Sequence, residues 1–303
     1  MIGAIIGDIV GSRFEFNNYL GKHFKLFTAD NVFTDDTVMT CAIAEALMMA
    51  DVDFSDLSEC AVEAMQSIGR KYPNCGYGAK FIKWMFSNNP KPYNSCGNGS
   101  AMRVSPVGFV AKDVEEAKQL AAMVTKVTHD HPEGMKGAEA TAVAIVMARD
   151  GSTKEEIKEE MERYYDLSKT VEDFRNEADG HGREICQVTM PQALACFFEG
   201  KNFVDVIRNC ISIGGDSDTI AAIAGGIAEA YYGVPRSLQK MLRLYLPDEL
   251  MAICKNFSFV FQTQRLTNKE IGLDYWDDEM YSRFVVSEEV REVQQNFCVR
   301  AQQ

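Results

Sequence analysis

Apolar residues along this chain recur mostly at intervals of three and four. Between Thr37 and Ala50, positions Val38, Cys41, Ala42, Glu45 and Met49 fall on one face. After Asp216 the same spacing links Ile220, Ile223, Ala224, Ile227, Ala228 and Tyr231. Val114 to Val127, Ala138 to Ala148, Pro191 to Phe198 and Phe203 to Ile211 repeat it. This period predicts helices. Gly and Pro punctuate the runs at Gly97, Gly99, Pro132, Gly134, Gly151, Gly200, Gly214, Gly215, Gly233 and Pro235, as loop signals do. Alternation suited to a strand is confined to Phe257 to Thr263 and Phe284 to Val286. The pattern predicts an all-α protein of many medium helices and short loops.

No internal repeat or Pro-rich linker divides the chain. The charged run Lys154 to Arg163 reads as a solvated helix face with Glu and Lys three and four apart. Beyond about residue 255 the sequence turns more polar and aromatic, with Tyr275, Trp276, Asp277, Asp278 and Glu279 in succession. The expected organisation is a main domain over 1–255 and a C-terminal extension over 256–303.

Composition narrows the class. The 303 residues are 46% apolar and 25% charged, the proportions of a globular protein large enough to bury a core. A net charge of −13 argues against nucleic acid as a partner, because phosphate backbones are bound by basic faces. An anionic ligand would need local help from backbone amides or metal ions. The nine cysteines form no C-x-x-C pair, which argues against a zinc cluster or a disulfide framework and for a reducing, cytoplasmic setting. No uncharged apolar run approaches the roughly 18 residues of a membrane span. The apolar start, Met1 to Phe14, is interrupted by Asp8 and lacks a basic leader, so it does not read as a secretion signal. A monomer is the expected state.

Two acidic clusters each precede an apolar helix: Thr34-Asp35-Asp36-Thr37 and Gly214-Gly215-Asp216-Ser217-Asp218-Thr219. Taken singly, either is explained by helix capping, which favours Ser, Thr and Asp and suits the positive end of the dipole. Taken together they exceed what capping needs. If the two helix ends met, four aspartates would face one point, an arrangement that requires cations. Oxygen-only ligands select hard ions such as Mg²⁺, Mn²⁺ or Ca²⁺, and such ions can activate a water or hold substrate oxygens. Gly225-Gly226 within the second helix suggests close packing against another backbone.

With these residues in view the chain resembles the ADP-ribosylglycohydrolase family. The resemblance runs through Gly3 to Ser12 with Phe14-Glu15, then Phe33 to Thr37, then Tyr72-Pro73, Gly76-Tyr77-Gly78, Phe81 and Trp84. It continues in Ser95 to Arg103, Thr128-His129, His131 to Gly134, and Gly214 to Thr219. It spans roughly residues 1 to 250. It implies an orthogonal multi-helix bundle with a binuclear Mg²⁺ or Mn²⁺ centre in a cleft. It also implies hydrolysis of the bond between the distal ribose of ADP-ribose and an acceptor, either an ADP-ribosylated protein side chain or a small conjugate. The implied metal ligands are Thr34, Asp35, Asp36, Asp216, Asp218 and Thr219.

The resemblance makes Glu15 a gating residue and a candidate acid/base, since glycosidic cleavage commonly uses a carboxylate to move a proton. Asp36 is the second candidate, as a ligand that also orients the attacking water. Gly97-Asn98-Gly99 would bring backbone amides to a diphosphate, with Ser95 and Ser100 adding hydroxyls. Arg103 either neutralises a phosphate or ties its helix to an acidic neighbour. His129 is expected near the adenosine end, and Gly76-Tyr77-Gly78 presents an aromatic either to the cleft or to the core. Asp8, inside an expected Gly7 to Gly11 turn, either supports the metal ligands from behind or only caps a helix, and stays outside the catalytic set. Competing readings are a non-catalytic ADP-ribose sensor or inhibitor on the same bundle, and a metal hydrolase acting on a phosphorylated or nucleoside ligand.

Overall fold

The computed structural model describes residues 1–177 and 184–262. Among them are fifteen α-helices. They are α1 (Ile2–Gly11), α2 (Asp35–Met49), α3 (Leu57–Lys71), α4 (Ala79–Met85), α5 (Gly99–Met102), α6 (Ser105–Val110), α7 (Val114–Thr125) and α8 (Pro132–Asp150). They continue as α9 (Lys154–Met161), α10 (Val171–Asn176), α11 (Cys186–Glu199), α12 (Phe203–Ser212), α13 (Ser217–Tyr232), α14 (Arg236–Met241) and α15 (Asp248–Phe257). No strand occurs among the described residues; one isolated bridge joins Gly97 to Ile185.

The expected helices are present, with α8 and α11 starting about a turn and a half earlier than the periodicity suggested. The strand expected from Phe257 is instead the end of α15 followed by a π-helical turn, Ser258–Gln262. The reason is packing. Phe257, Val260 and Phe261 are all buried, and the Phe257 and Phe261 rings meet at 5.0 Å, four residues apart as on a helix. The Phe284 to Val286 expectation and residues 263–303 of the expected extension lie outside the described residues, while α15 itself runs through residue 255.

The expected Gly7 to Gly11 turn is also helical. Gly3, Gly7 and Gly11 form a stripe along α1 that lies against α13, and these two helices share the most extensive contact in the bundle. A Cβ on Gly3 would fall 2.3 Å from the Gly225 carbonyl oxygen, one on Gly7 2.0 Å from that of Ala221, and one on Gly11 2.4 Å from the Asp218 Cα. The order of these contacts makes α1 and α13 antiparallel. The C-terminal turn of α1 therefore sits beside the N-terminal turn of α13. The backbone proximity suspected for Gly225 is thus against Gly3, whereas Gly226 faces side chains of Ser105 and Ile145. The small-residue seam outweighs the roughly 1 kcal/mol that each mid-helix glycine costs.

The charged run on α9 is solvated, with ion pairs Lys158–Glu162 and Arg163–Glu160, except at its first residue. Lys154 Nζ donates to the carbonyls of Phe197, Phe198 and Gly200. It adds a charged donor to the carbonyls that close the C-terminus of α11, where a cation also suits the dipole. No helix among the described residues is long and apolar enough to cross a membrane.

Candidate metal centre and surrounding cleft

At the start of α2, capping is done by two residues. Thr34 accepts a hydrogen bond from Asp36 N at 3.4 Å. Asp8, from α1, accepts from Thr34 N (2.9 Å) and Thr37 N (3.1 Å). The carboxylates of Asp35 and Asp36 are thereby free of capping duty. At α13 the N-cap position is Asp216, whose side chain makes no capping bond. Its carboxylate accepts from Asn98 Nδ2 at 2.6 Å. Gly214 and Gly215 both have positive φ, 72° and 75°, which lets the chain reverse between α12 and α13 and turn Asp216 inwards.

The two helix ends meet. Thr219 Oγ1 donates to Asp36 Oδ2 across 3.1 Å. Carboxylate oxygens of Asp8, Asp36 and Asp218 lie within 4.8 Å of one another, and so do those of Glu15, Asp216 and Asp218. Asp218 belongs to both groups. Asp36 Oδ1 is buried with no hydrogen-bond partner, which is costly for a carboxylate unless something positive reaches it. Each group can hold a cation. The donors are all oxygen, so the residues fit a hard divalent ion.

Burial and mutual repulsion raise the acidities together. Burial pushes Asp8 up to about 6 against the lowering effect of its hydrogen bonds from Thr34 and Thr37. Burial, then the charges of Asp216 and Glu184, push Glu15 up to about 7. Asp35, Asp36 and Asp218 lie well above the usual carboxylate range, chiefly through burial and then through the neighbouring aspartates. Without a cation the folded protein therefore holds protons that the unfolded chain, titrating near pH 4, has released. Folded-state stability then falls as pH rises from about 4 through 7. Thermal melts in chelator should show Tm decreasing from pH 5 to pH 8. Excess Mg²⁺ or Mn²⁺ should raise Tm more at pH 8 than at pH 5, because the ions compete with those protons. A chelated protein that gains stability over this range would contradict the assignment.

The residues expected to bind the rest of a ligand divide into several kinds. Gly97-Asn98-Gly99 leads into α5 close to Asp216. The Asn98 side chain also donates to Thr189 Oγ1 at 2.9 Å, fixing the loop to α11. Ser95 Oγ accepts from Gly97 N at 3.1 Å and shapes the turn. The Ser100 hydroxyl, expected to face phosphate, is turned inwards: it is buried and donates to Gly134 O at 2.8 Å, tying the loop to α8. His129 is buried, with Nδ1 2.7 Å from Thr128 Oγ1, and Nε2 faces the Gly97 and Gly99 backbone. Burial and the nearby Arg103 hold it well below the usual histidine range, so it is neutral.

Arg103 takes neither expected role. It is buried and donates to Thr128 Oγ1 and the Val124 carbonyl. His131 caps α8 through Nδ1. Tyr77 takes the core position of the two open to it, stacking on Phe81, which stacks on Trp84. Gly76, at φ 98°, brings the chain beside Asp35. Asp8, expected to be outside the catalytic set, stands in one of the two carboxylate groups. Its signal was available: it is the lone charged residue in the apolar run from Ile2 to Val10.

A helical bundle presenting two carboxylate groups, each able to hold a cation, at the meeting of two helix ends defines the class of protein. The comparisons narrow it further. The model of the ADP-ribosylglycohydrolase family matches residues 1–267, and the chain belongs to that family of hydrolases. It is 26% identical to human ADP-ribosylhydrolase ARH3, over 83% of this chain and 90% of the relative. It is 24% identical to the ADP-ribosylarginine hydrolase Tri1 of Pseudomonas putida (strain GB-1), over 77% and 70% of the two chains. A solved structure described as an ADP-ribosylglycohydrolase-related protein complex superposes with a TM-score of 0.58 at 23% identity, over 83% of this chain and 94% of the other.

Proposed function

We propose that this protein is a divalent-metal-dependent hydrolase. It would cleave the glycosidic bond between the distal ribose of ADP-ribose and an acceptor, releasing ADP-ribose. The observation that carries this reading is the pair of carboxylate groups sharing Asp218, with Glu15 in one and Asp36 in the other. Arginine is the acceptor we favour for a first substrate, since one similar protein is named an ADP-ribosylarginine hydrolase.

In this reading Thr34, Asp35, Asp36, Asp216, Asp218 and Thr219 hold two Mg²⁺ or Mn²⁺ ions, with Asp8 and Glu15 beside them. Such ions, when bound, would lower the pKa of a water and fix the ribose oxygens. Glu15, raised to about 7, is suited to move a proton near neutral pH. Hydrolysis breaks the bond from the anomeric carbon to the acceptor and forms a bond from that carbon to water oxygen. The water proton passes to Glu15, and the leaving acceptor takes a proton in turn. Asp36 orients the water from the opposite group. The Gly97-Asn98-Gly99 turn would meet the diphosphate at Gly99, since the Gly97 and Asn98 amides are taken by Ser95 Oγ and the Glu184 carbonyl, and neutral His129 packs against this turn. The Gly76 to Gly78 segment borders Asp35 at the ribose side.

The test is release of free ADP-ribose from an ADP-ribosylarginine conjugate, with Mg²⁺, with Mn²⁺ and with chelator. Release that requires either metal is the expected result. ADP-ribose binding without release from any conjugate would point to a sensor on the same bundle. Turnover of phosphoesters but not of ADP-ribosyl conjugates would point to another metal hydrolase.

A further inference from the structure

Asp8 is doubly unusual. It is fully buried in a helix otherwise made of apolar residues, and both of its oxygens accept hydrogen bonds from one short segment at the start of α2. Oδ2 accepts from the backbone amides of Thr34 and Thr37, while Oδ1 accepts from Thr34 Oγ1 at 2.7 Å. An ionised carboxylate has acceptors only, so the Thr34 hydroxyl has no choice of role in this bond: its proton points at Asp8. The hydroxyl oxygen then keeps its lone pairs, one of them loosely engaged by Asp36 N at 3.4 Å, for whatever lies on the side of Asp36 and Asp218. Thr219 repeats the arrangement from α13, its hydroxyl donating to Asp36 Oδ2.

We propose that Asp8 is a positioning residue that sets the polarity of the Thr34 hydroxyl, aiming its oxygen rather than its proton at the cation held by Asp36 and Asp218. This rests on the reading of Thr34 as a metal ligand. Asp8 does two things at once. It holds the first turn of α2 in place through two backbone amides, and it selects one of the two orientations open to the threonine O–H. The antiparallel α1–α13 seam supplies the third point, because it brings the Asp8 turn of α1 beside Asp218. Asn at this position has nearly the same shape but the wrong hydrogen-bond chemistry. With its oxygen facing the two amides, its NH₂ faces Thr34 Oγ1 and donates to it, turning the hydroxyl proton towards the cation. Flipped, its NH₂ faces two backbone N–H groups.

The experiment is a double-mutant cycle on the full chain, read as Mn²⁺ affinity by calorimetric titration with no substrate present. Asp8→Asn is expected to weaken Mn²⁺ by about 10- to 100-fold, as loss of a ligand's supporting partner does, and Thr34→Val, which removes the ligand itself, by at least as much. The double variant should be no weaker than the worse single variant by more than about twofold, since the two act through one bond. Multiplying effects would overturn the inference, because Asp8 would then be acting independently, as a ligand or as a charge. Unchanged binding by Asp8→Asn would overturn it too. Unchanged binding by Thr34→Val would first remove Thr34 from the ligand set, and the inference would fall with it. A neutron map of the wild-type protein covers the case in which Asp8→Asn does not fold. Deuterium on Thr34 Oγ1 directed at Asp8 Oδ1 supports the inference, and deuterium directed at Asp36 or Asp218 overturns it.

Discussion

Asp218→Ala is expected to abolish the metal-dependent release of ADP-ribose that we propose, while leaving a folded protein. Asp218 is the one residue common to both carboxylate groups, so its loss would weaken both proposed cation sites together. The expected fall in kcat/KM exceeds the roughly 100-fold that removal of a supporting partner costs at a metal site. The fold should survive because Asp218 is a liability to it. Burial and the charges of Asp216 and Asp36 raise its pKa well above the ordinary range, which means the folded state disfavours its ionised form. The nearly isosteric Asp218→Asn should therefore raise Tm in chelator at pH 8 while also losing turnover, as expected where a site is bought at the expense of stability. Wild-type turnover by Asp218→Ala would remove the two-group centre from the mechanism. A lower Tm for Asp218→Asn in chelator would show that the carboxylate is not under the repulsion inferred for it.

The second large effect is on the seam that brings the groups together. Gly7→Ala gains about 1 kcal/mol of helix propensity. Against this, the new methyl group would sit 2.0 Å from the Ala221 carbonyl oxygen and 2.3 Å from its carbonyl carbon. Those are backbone atoms, which cannot rotate away, so α1 and α13 must separate. Overpacking of this kind costs about 1–3 kcal/mol and occasionally more, so the overlap wins and the variant is destabilised. Separation also moves Asp8 away from Asp218, so Mn²⁺ affinity should fall along with the urea midpoint. Gly226→Ala is the comparison: its new methyl group would meet Ser105 Cβ at 3.1 Å and Ile145 Cδ1 at 3.5 Å. These side chains can adjust, and its stability should stay within about 1 kcal/mol of wild type. Equal losses in the two variants would mean that the α1–α13 backbone contact is not what holds the centre together.

The sequence by itself carried the helical class, the positions of α2, α7, α12 and α13, and both acidic clusters. Each of these is written in contiguous residues: a period of three and four, or carboxylates adjacent along the chain. The meeting of the clusters also had a trace, in the glycines of α1 and α13, but glycine is as common in turns as in helix seams. The stretch from Gly7 to Gly11 therefore reads as a turn in sequence, whereas its packing on Ala221 and Asp218 makes it a helix seam. Other assignments had no local trace. A serine in a glycine-rich loop has the same sequence whether its hydroxyl faces a ligand or, like Ser100, a carbonyl from α8. Tyr77 could have faced the cleft, and its stacking partner four residues on placed it in the core. Phe257 to Phe261 alternates like a strand and packs as a helix because its buried apolar residues, Phe257, Val260 and Phe261, lie three and four apart.

Tertiary structure alone decided which acids are capping groups and which are free. Thr34 and Asp216 occupy equivalent positions before their helices, yet Thr34 caps and Asp216 does not. The amides of α2 are satisfied partly from another helix, by Asp8, while the Asp216 carboxylate is held by Asn98 from a loop more than a hundred residues away in sequence. Helical periodicity depends on backbone geometry that repeats within each turn, so it can be read locally. Hydrogen-bond partners and charge repulsion depend on distances of a few ångströms between distant segments, and only the packed chain sets those.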